Sequence, residues 1–217
     1  MIDIKYSNFD FNNTSHDLAK STTTQAVSKI INSIESKSPF YKIFSTTHAK
    51  SQAEFCLPYA QEINEKFSDL ILIGMGGAIL NPQTVLSLVE KNSANSTNIH
   101  YLHNTDPLFL KELLSNIRLK DCAVLAISNS GQTLETLSLV GTMISEFDKA
   151  GLTSNIAKHF YFITNSESGI LQNIASKIDG TIIEHTAKIS GRYSGLTNVT
   201  SFIAQIAGIN IEEYISG

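Results

Sequence analysis

From Asp69 onward the chain repeats one rhythm: a short, largely apolar run, in most cases apolar on successive residues, a polar turn, then an amphipathic stretch. The runs are Leu70 to Ile73, Ile99 to Leu102, Ala123 to Ile127, Phe160 to Ile163 and Thr181 to Ile183. A strand with one face in water alternates apolar and polar residues, so runs without alternation predict strands covered on both faces. The stretches between them predict helices near 79–92, 107–117, 132–149 and 167–177. Strands alternating with helices in this way build a parallel sheet. The expectation is therefore an α/β protein, a three-layer αβα sandwich on a five-stranded parallel sheet. In such folds ligands bind at the carboxyl ends of the strands.

Ahead of the sheet, residues 17–35 place Leu18, Ala26, Val27, Ile30, Ile31 and Ile34 on one helical face. Residues 50–67 do the same with Ala53, Cys56, Leu57, Ala60, Ile63 and Phe67, and Pro58 predicts a kink there or a break just before it. The organisation expected is a helical segment, residues 1–54, packed on a domain of residues 55–217. The closing segment Phe202 to Tyr214 again reads as helix. Lys91 to Thr97 is a polar surface loop, and no internal repeat or low-complexity linker is found.

The third apolar run ends in Ile127-Ser128-Asn129-Ser130-Gly131-Gln132-Thr133-Leu134-Glu135-Thr136. Ser128, Ser130, Thr133 and Thr136 each carry a hydroxyl, Gly131 permits a tight turn, and a helix start near Gln132 directs unpaired N–H groups and about half a positive charge outward. One such hydroxyl at a strand-to-helix turn is ordinarily a helix cap. Four exceed what a cap uses, so the cluster predicts an external anion, and a phosphate dianion fits it.

A second strand end carries Gly74-Met75-Gly76-Gly77-Ala78-Ile79-Leu80-Asn81. Glycines there serve either a tight turn or close approach of backbone to a ligand. Gly74 and Gly76 match the first two glycines of a dinucleotide fingerprint, but Ile79 occupies the third position. The second run ends in His100-Tyr101-Leu102-His103-Asn104 without the ribose-binding acid, which argues against NAD.

Composition narrows the partners. The 217 residues carry a formal charge of −4 with no basic tract interleaved with aromatics, so nucleic acid is not expected as a partner. Cys56 and Cys122 are too few for a disulfide framework and suit a reducing cytosol. The start Met1-Ile2-Asp3-Ile4-Lys5-Tyr6 lacks the charged and apolar regions of a signal peptide, and no segment approaches the roughly 20 apolar residues of a membrane span. A soluble, unprocessed cytoplasmic protein without membrane contact is the expectation. Arginine occurs only as Arg118 and Arg192, which singles out the run Ser190-Gly191-Arg192-Tyr193-Ser194.

Taken in order, Gly74-Met75-Gly76-Gly77, the 128–136 loop and Ser190-Gly191-Arg192-Tyr193-Ser194 resemble the first sugar-isomerase (SIS) domain of the glucose-6-phosphate isomerase family. The likeness covers roughly residues 55 to 217, from the strand before Gly74 to the helical segment ending Ala207-Gly208-Ile209-Asn210. It implies a flavodoxin-like SIS fold and the interconversion of glucose 6-phosphate and fructose 6-phosphate, a step of glycolysis and gluconeogenesis. Ser128, Asn129, Ser130 and Thr133 would surround the sugar phosphate, Gly76 and Gly77 would let backbone approach the sugar, and Arg192 would face the reacting carbons. Aldose–ketose interconversion passes through an enediolate, whose negative charge a guanidinium holds without losing its proton.

The departures from the family pattern are specific. Asn129 stands where many members carry lysine, Ala78 where a serine is usual, and Ser190 where the arginine motif usually has its first glycine. The family's glutamate base, ring-opening histidine and lysine belong to parts of the enzyme beyond this resemblance. His185 is read as structural. The chain is accordingly expected to bind a sugar phosphate and to be incomplete for catalysis, with a non-catalytic, regulatory sugar-phosphate module as the alternative. No cofactor or metal is expected, and a homodimer is open because SIS domains pair in related families.

Overall fold

The computed structural model describes residues 13–36, 41–87, 97–165, 169–186 and 189–216. In chain order these form α1 (Asn13–Glu35), α2 (Tyr41–Phe44), α3 (Thr46–Lys66), β1 (Asp69–Gly74), α4 (Gly77–Ser87), β2 (Asn98–Leu102), α5 (Pro107–Ser115), β3 (Cys122–Ser128), α6 (Leu134–Lys149), β4 (Phe160–Thr164), α7 (Ile170–Lys177), β5 (Thr181–Glu184), α8 (Asn198–Ile206) and α9 (Ile211–Ser216). A short 3-10 segment, Gly191–Leu196, precedes α8. The end of the helix expected over 79–92, most of the polar loop after it and the start of that expected over 167–177 lie outside the described residues, as does Met1 to Tyr6. No helix among the described residues is long and apolar enough to cross a membrane.

The chain divides into two compact units, Met1–Lys42 and Ile43–Gly217. The first contains α1. The second contains the sheet and begins ahead of α3, which runs unbroken through residues 54 and 55. Pro58 does not interrupt that helix. It lies on the exposed side, and the carbonyl its missing N–H leaves free belongs to the exposed Glu54.

All five strands are parallel, in the order β2-β1-β3-β4-β5. Every position of β3 and β4 is buried, as runs without alternation require. Successive residues of β1 feed opposite layers. Leu70 and Leu72 meet Cys56, Ala60 and Ile63 of α3 with Val199, Phe202 and Ile203 of α8. Ile71 and Ile73 meet Leu139, Val140, Met143 and Phe147 of α6 with Leu171 and Ala175 of α7. Each fully buried Leu, Ile or Phe contributes about 1.5–3 kcal/mol, so the two layers hold the sheet rigid and its strand ends fixed.

The chain order reverses between β1 and β3, because the connection to β2 runs one way along the sheet and the path on to β3 returns across β1. Their carboxyl ends bound a crevice, the place where open α/β sheets bind ligands. Ser128 stands beside Thr164 there, and Thr164 beside Glu184.

The closing segment is two helices, not one. Thr197 Oγ1 accepts the Val199 N–H and caps α8 at its start. At its end Gly208 turns left-handed (φ 76°), while the N–H groups of Gly208 and Ile209 bond to the carbonyls of Gln205 and Ala204 at 3.0 and 2.9 Å. That paired closure ends a helix, and α9 starts anew after Asn210.

Candidate functional site

The turn after β3 is built around Gly131, whose φ of 61° places it in the left-handed region. A Cβ there would stand 3.1 Å from Thr164 Oγ1 and 3.3 Å from Gly169 Cα, so a larger residue would be both strained and crowded. The turn closes with the Gly131 N–H on the Ser128 carbonyl, and α6 begins three residues later. Thr133 occupies the cap position of α6 without making a side-chain cap. Its Oγ1 lies 3.1 Å from Ser128 Oγ instead. Ser130 Oγ accepts the Gln132 N–H at 3.2 Å.

These hydroxyls face a cavity of about 330 Å³. One proton is shared between Ser128 and Thr133, which leaves a second from that pair and the Ser130 proton for a ligand. The first-turn N–H groups of α6 have no intrahelical acceptors and add the positive end of the helix dipole. Thr136 does not belong to this group. Its side chain is fully buried and its Oγ1 has no hydrogen-bond partner, so the hydroxyl cluster at the cavity has three members where the sequence suggested four.

Met75 and Ala78 supply a second wall, and Ser190, Gly191 and Ser194 a third. The third wall is tied down from two sides. Asn81 Nδ2 donates to the Gly191 carbonyl and to Ser194 Oγ, both at 2.9 Å, and Ser194 Oγ donates to the same carbonyl at 2.7 Å. Asn129 Nδ2 donates to the Ile189 carbonyl at 3.0 Å. Asn129 therefore lines the cavity while part of its amide serves the scaffold. Asn81 escaped the sequence reading, although an Asn inside a helix that follows a glycine turn is a signal, because the amide is disfavoured there unless it has a partner.

Gly76 and Gly77 are not among the cavity-lining residues. Gly76 is left-handed (φ 56°) with open space around it and makes the turn into α4. A Cβ on Gly77 would overlap the Gly191 carbonyl and stand 2.9 Å from the Arg192 N, so this glycine lets the 3-10 segment lie against the start of α4. Arg192 is exposed on that segment and is likewise not part of the lining, whereas its neighbours Gly191 and Ser190 are.

The end of β5 forms the far side. Asn198 donates to the Glu184 carbonyl at 2.6 Å and accepts from Thr186, whose hydroxyl also donates to Gln52 at 2.7 Å. Between them His185 is 2% exposed and lines the cavity. Burial holds its pKa below the ordinary imidazole value, opposed by the hydrogen bond of Nδ1 to the Thr186 carbonyl at 3.0 Å. Among the described residues no carboxylate lines the cavity, and no cluster of His, Cys, Asp and Glu is arranged to hold a metal.

The phosphoglucose isomerase family model matches residues 44–217. Glucose-6-phosphate isomerase of Carboxydothermus hydrogenoformans is 29% identical over 166 residues, covering 73% of this chain and 36% of the relative. That of Thermosynechococcus vestitus is 33% identical over 153 residues, covering 70% of this chain and 28% of the relative. A crystal structure of glucose-6-phosphate isomerase from Chlamydia trachomatis superposes with a TM-score of 0.65 at 28% identity, over 76% of this chain and 31% of that one. The chain spans about a third of the length of the curated relatives it matches. With the strand order, the glycine turn and the hydroxyl loop all in place, the chain belongs to the phosphoglucose isomerase family and spans a single SIS domain of it.

Proposed function

We propose that the cavity between the ends of β1 and β3 binds the phosphate of glucose 6-phosphate or fructose 6-phosphate, and that the chain is the sugar-phosphate-binding domain of a glucose-6-phosphate isomerase. The observation that carries this is the uncapped Thr133: its hydroxyl and those of Ser128 and Ser130 face the cavity at the start of a 16-residue helix. In this reading Asn129 closes the phosphate site, and Gly76 and Gly77 shape the turn that forms its second wall.

Isomerisation moves a hydrogen between C1 and C2 of the open-chain sugar and develops enediolate charge on the adjacent oxygens. Arg192 holds that charge from the exposed 3-10 segment at the edge of the cavity. The carboxylate base that moves the hydrogen is not among the described cavity-lining residues, and in this reading it belongs to the remaining two thirds of the family's length. The same lack of a carboxylate favours a second reading, a module that binds a sugar phosphate without turnover.

Calorimetric titration with fructose 6-phosphate beside a coupled isomerase assay separates the two. Binding without turnover by this chain, and turnover once the rest of a family enzyme is supplied, is the expected result. Ser128→Ala with Thr133→Ala weakens binding by at least about tenfold per hydroxyl, since a hydrogen bond to a charged group contributes roughly 1.5–3 kcal/mol. Arg192→Ala leaves binding of the phosphate unchanged and removes turnover. Equal loss of binding in both variants would show the roles to be wrongly divided.

A further inference from the structure

Among the described cavity-lining residues, His185 is the one ionisable side chain. Ser128, Asn129, Ser130, Thr133, Ser190 and Ser194 are neutral, and no lysine or arginine is among them. Among the described lining residues a phosphate dianion seated there meets hydroxyls and the start of α6 but no lysine or arginine, and a buried charge is costly where it is uncompensated.

The ring is already oriented to change this. A carbonyl only accepts, so the 3.0 Å contact to Thr186 fixes a proton on Nδ1. In the neutral ring Nε2 then carries a lone pair, which repels a phosphate oxygen, and once protonated the same atom donates to it. The distance suits the task. Ser128, Thr164 and Glu184 stand in register on adjacent strands, so His185 begins roughly 10 Å from the hydroxyl loop and lines the same cavity.

We propose that His185 takes up one proton from solvent at Nε2 when the phosphate binds, so that its imidazolium supplies positive charge from within the lining. This rests on the reading of the cavity as a phosphate site. In the empty cavity the ring is neutral because burial opposes the charged form. The described groups around it carry no fixed charge: Thr164 from β4, Asn198 and Val199 from α8, Ser194 from the 3-10 segment, and Gln52 of α3 through Thr186. Glu184 beside it in the chain and Arg192 on the 3-10 segment are both exposed, and α3 also carries His48 one turn before Gln52. A dianion is thus the strongest influence on the ring when it arrives, and it favours protonation.

The test is calorimetric titration with fructose 6-phosphate at pH 7 in two buffers of different ionisation enthalpy, for the wild type and His185→Gln. The wild type takes up a large fraction of a proton beyond the ligand's own ionisation; the variant takes up none. Affinity of the wild type falls with rising pH by up to about tenfold per unit, the limit for one linked proton, and the variant follows a flatter line. A lysine already holds its proton at pH 7, so uptake distinguishes His185 from any lysine at the mouth. Imidazole ¹⁵N spectra of the wild type give the same answer should the variant fail to fold, with Nε2 moving from bare to protonated on saturation. Equal uptake in both proteins, or a bound state whose His185 stays neutral, overturns the inference alone. Failure of the wild type to bind fructose 6-phosphate or inorganic phosphate between pH 6 and 8 overturns it together with the phosphate reading.

Discussion

Gly77→Ala tests how the cavity wall is held. The added Cβ would overlap the Gly191 carbonyl and stand 2.9 Å from the Arg192 N, and all these obstacles are backbone atoms that no rotamer change can move aside. The carbonyl is also the acceptor for Asn81 and Ser194, so α4 and the 3-10 segment must separate and stretch both bonds. Overpacking costs about 1–3 kcal/mol in general, and rigid obstacles put this site at the upper end. For a chain of this size that is a fall in Tm of about 6–12 °C. Two glycines calibrate the number. Gly76→Ala meets open space and bears only left-handed strain, about 1–2 kcal/mol, while Gly141→Ala, in open space inside α6, gains about 0.5–1 kcal/mol. Urea midpoints at constant slope give the three values, and titration with fructose 6-phosphate shows whether the loss at Gly77 reaches the site. A Gly77→Ala loss no greater than that of Gly76→Ala, or unchanged affinity, refutes the claim that this contact positions the wall.

Both cysteines are fully buried, and burial pushes each thiol up to about 12, so Ellman's reagent at pH 8 should label neither until urea unfolds the chain; rapid labelling of the native protein would contradict the packing of α3 and β3. At the opposite end of the sheet, burial would raise the Asp69 carboxyl, but hydrogen bonds from His100 at 2.8 Å and Ser68 at 2.7 Å carry it below its ordinary value. A carboxyl lowered in the folded state stabilises above its unfolded pKa and loses that contribution as pH falls through its folded one. Asp69→Asn should therefore lower stability by roughly 1–2 kcal/mol at pH 7 and by progressively less below about pH 4, which urea melts across pH will show.

The sheet was legible because each strand announces itself in three to five consecutive residues and needs no distant partner to be recognised. The hydroxyl loop was legible for the same reason: strand end, turn and helix start lie within ten residues. What escaped depends on which side of a helix meets what. Thr136 shares the stripe of Leu139, Val140, Met143 and Phe147, so helical spacing alone could have turned its hydroxyl toward the core. Pro58 was tolerable because the buried stripe of α3 runs through Ala53, Cys56 and Ala60 on the other side. The partner of Gly77 lies at Gly191 and that of Asn81 is 110 residues away, beyond the reach of any local pattern. His185 looked like an isolated histidine until the sheet set its strand end two places from Ser128.

The division of labour in the proposed reading follows from where rigidity and charge sit. The phosphate is the part of a hexose phosphate that does not react, and it is assigned to a turn fixed by a positive-φ glycine, a strand buried at every position and a helix whose inner stripe is wholly in the core. Binding energy gathered there can hold the reacting carbons in place without being spent on them. Those carbons must then extend away from the hydroxyl loop, toward the 3-10 segment whose backbone is fixed by Asn81 and whose Arg192 is exposed. An exposed guanidinium has little field to offer while water screens it, and gains strength when a second body covers it. A cavity whose described lining brings no carboxylate and an arginine at an uncovered edge thus point to the same requirement: the element that brings the base should also be the one that excludes water from Arg192, so that charge stabilisation and proton transfer are assembled in a single step.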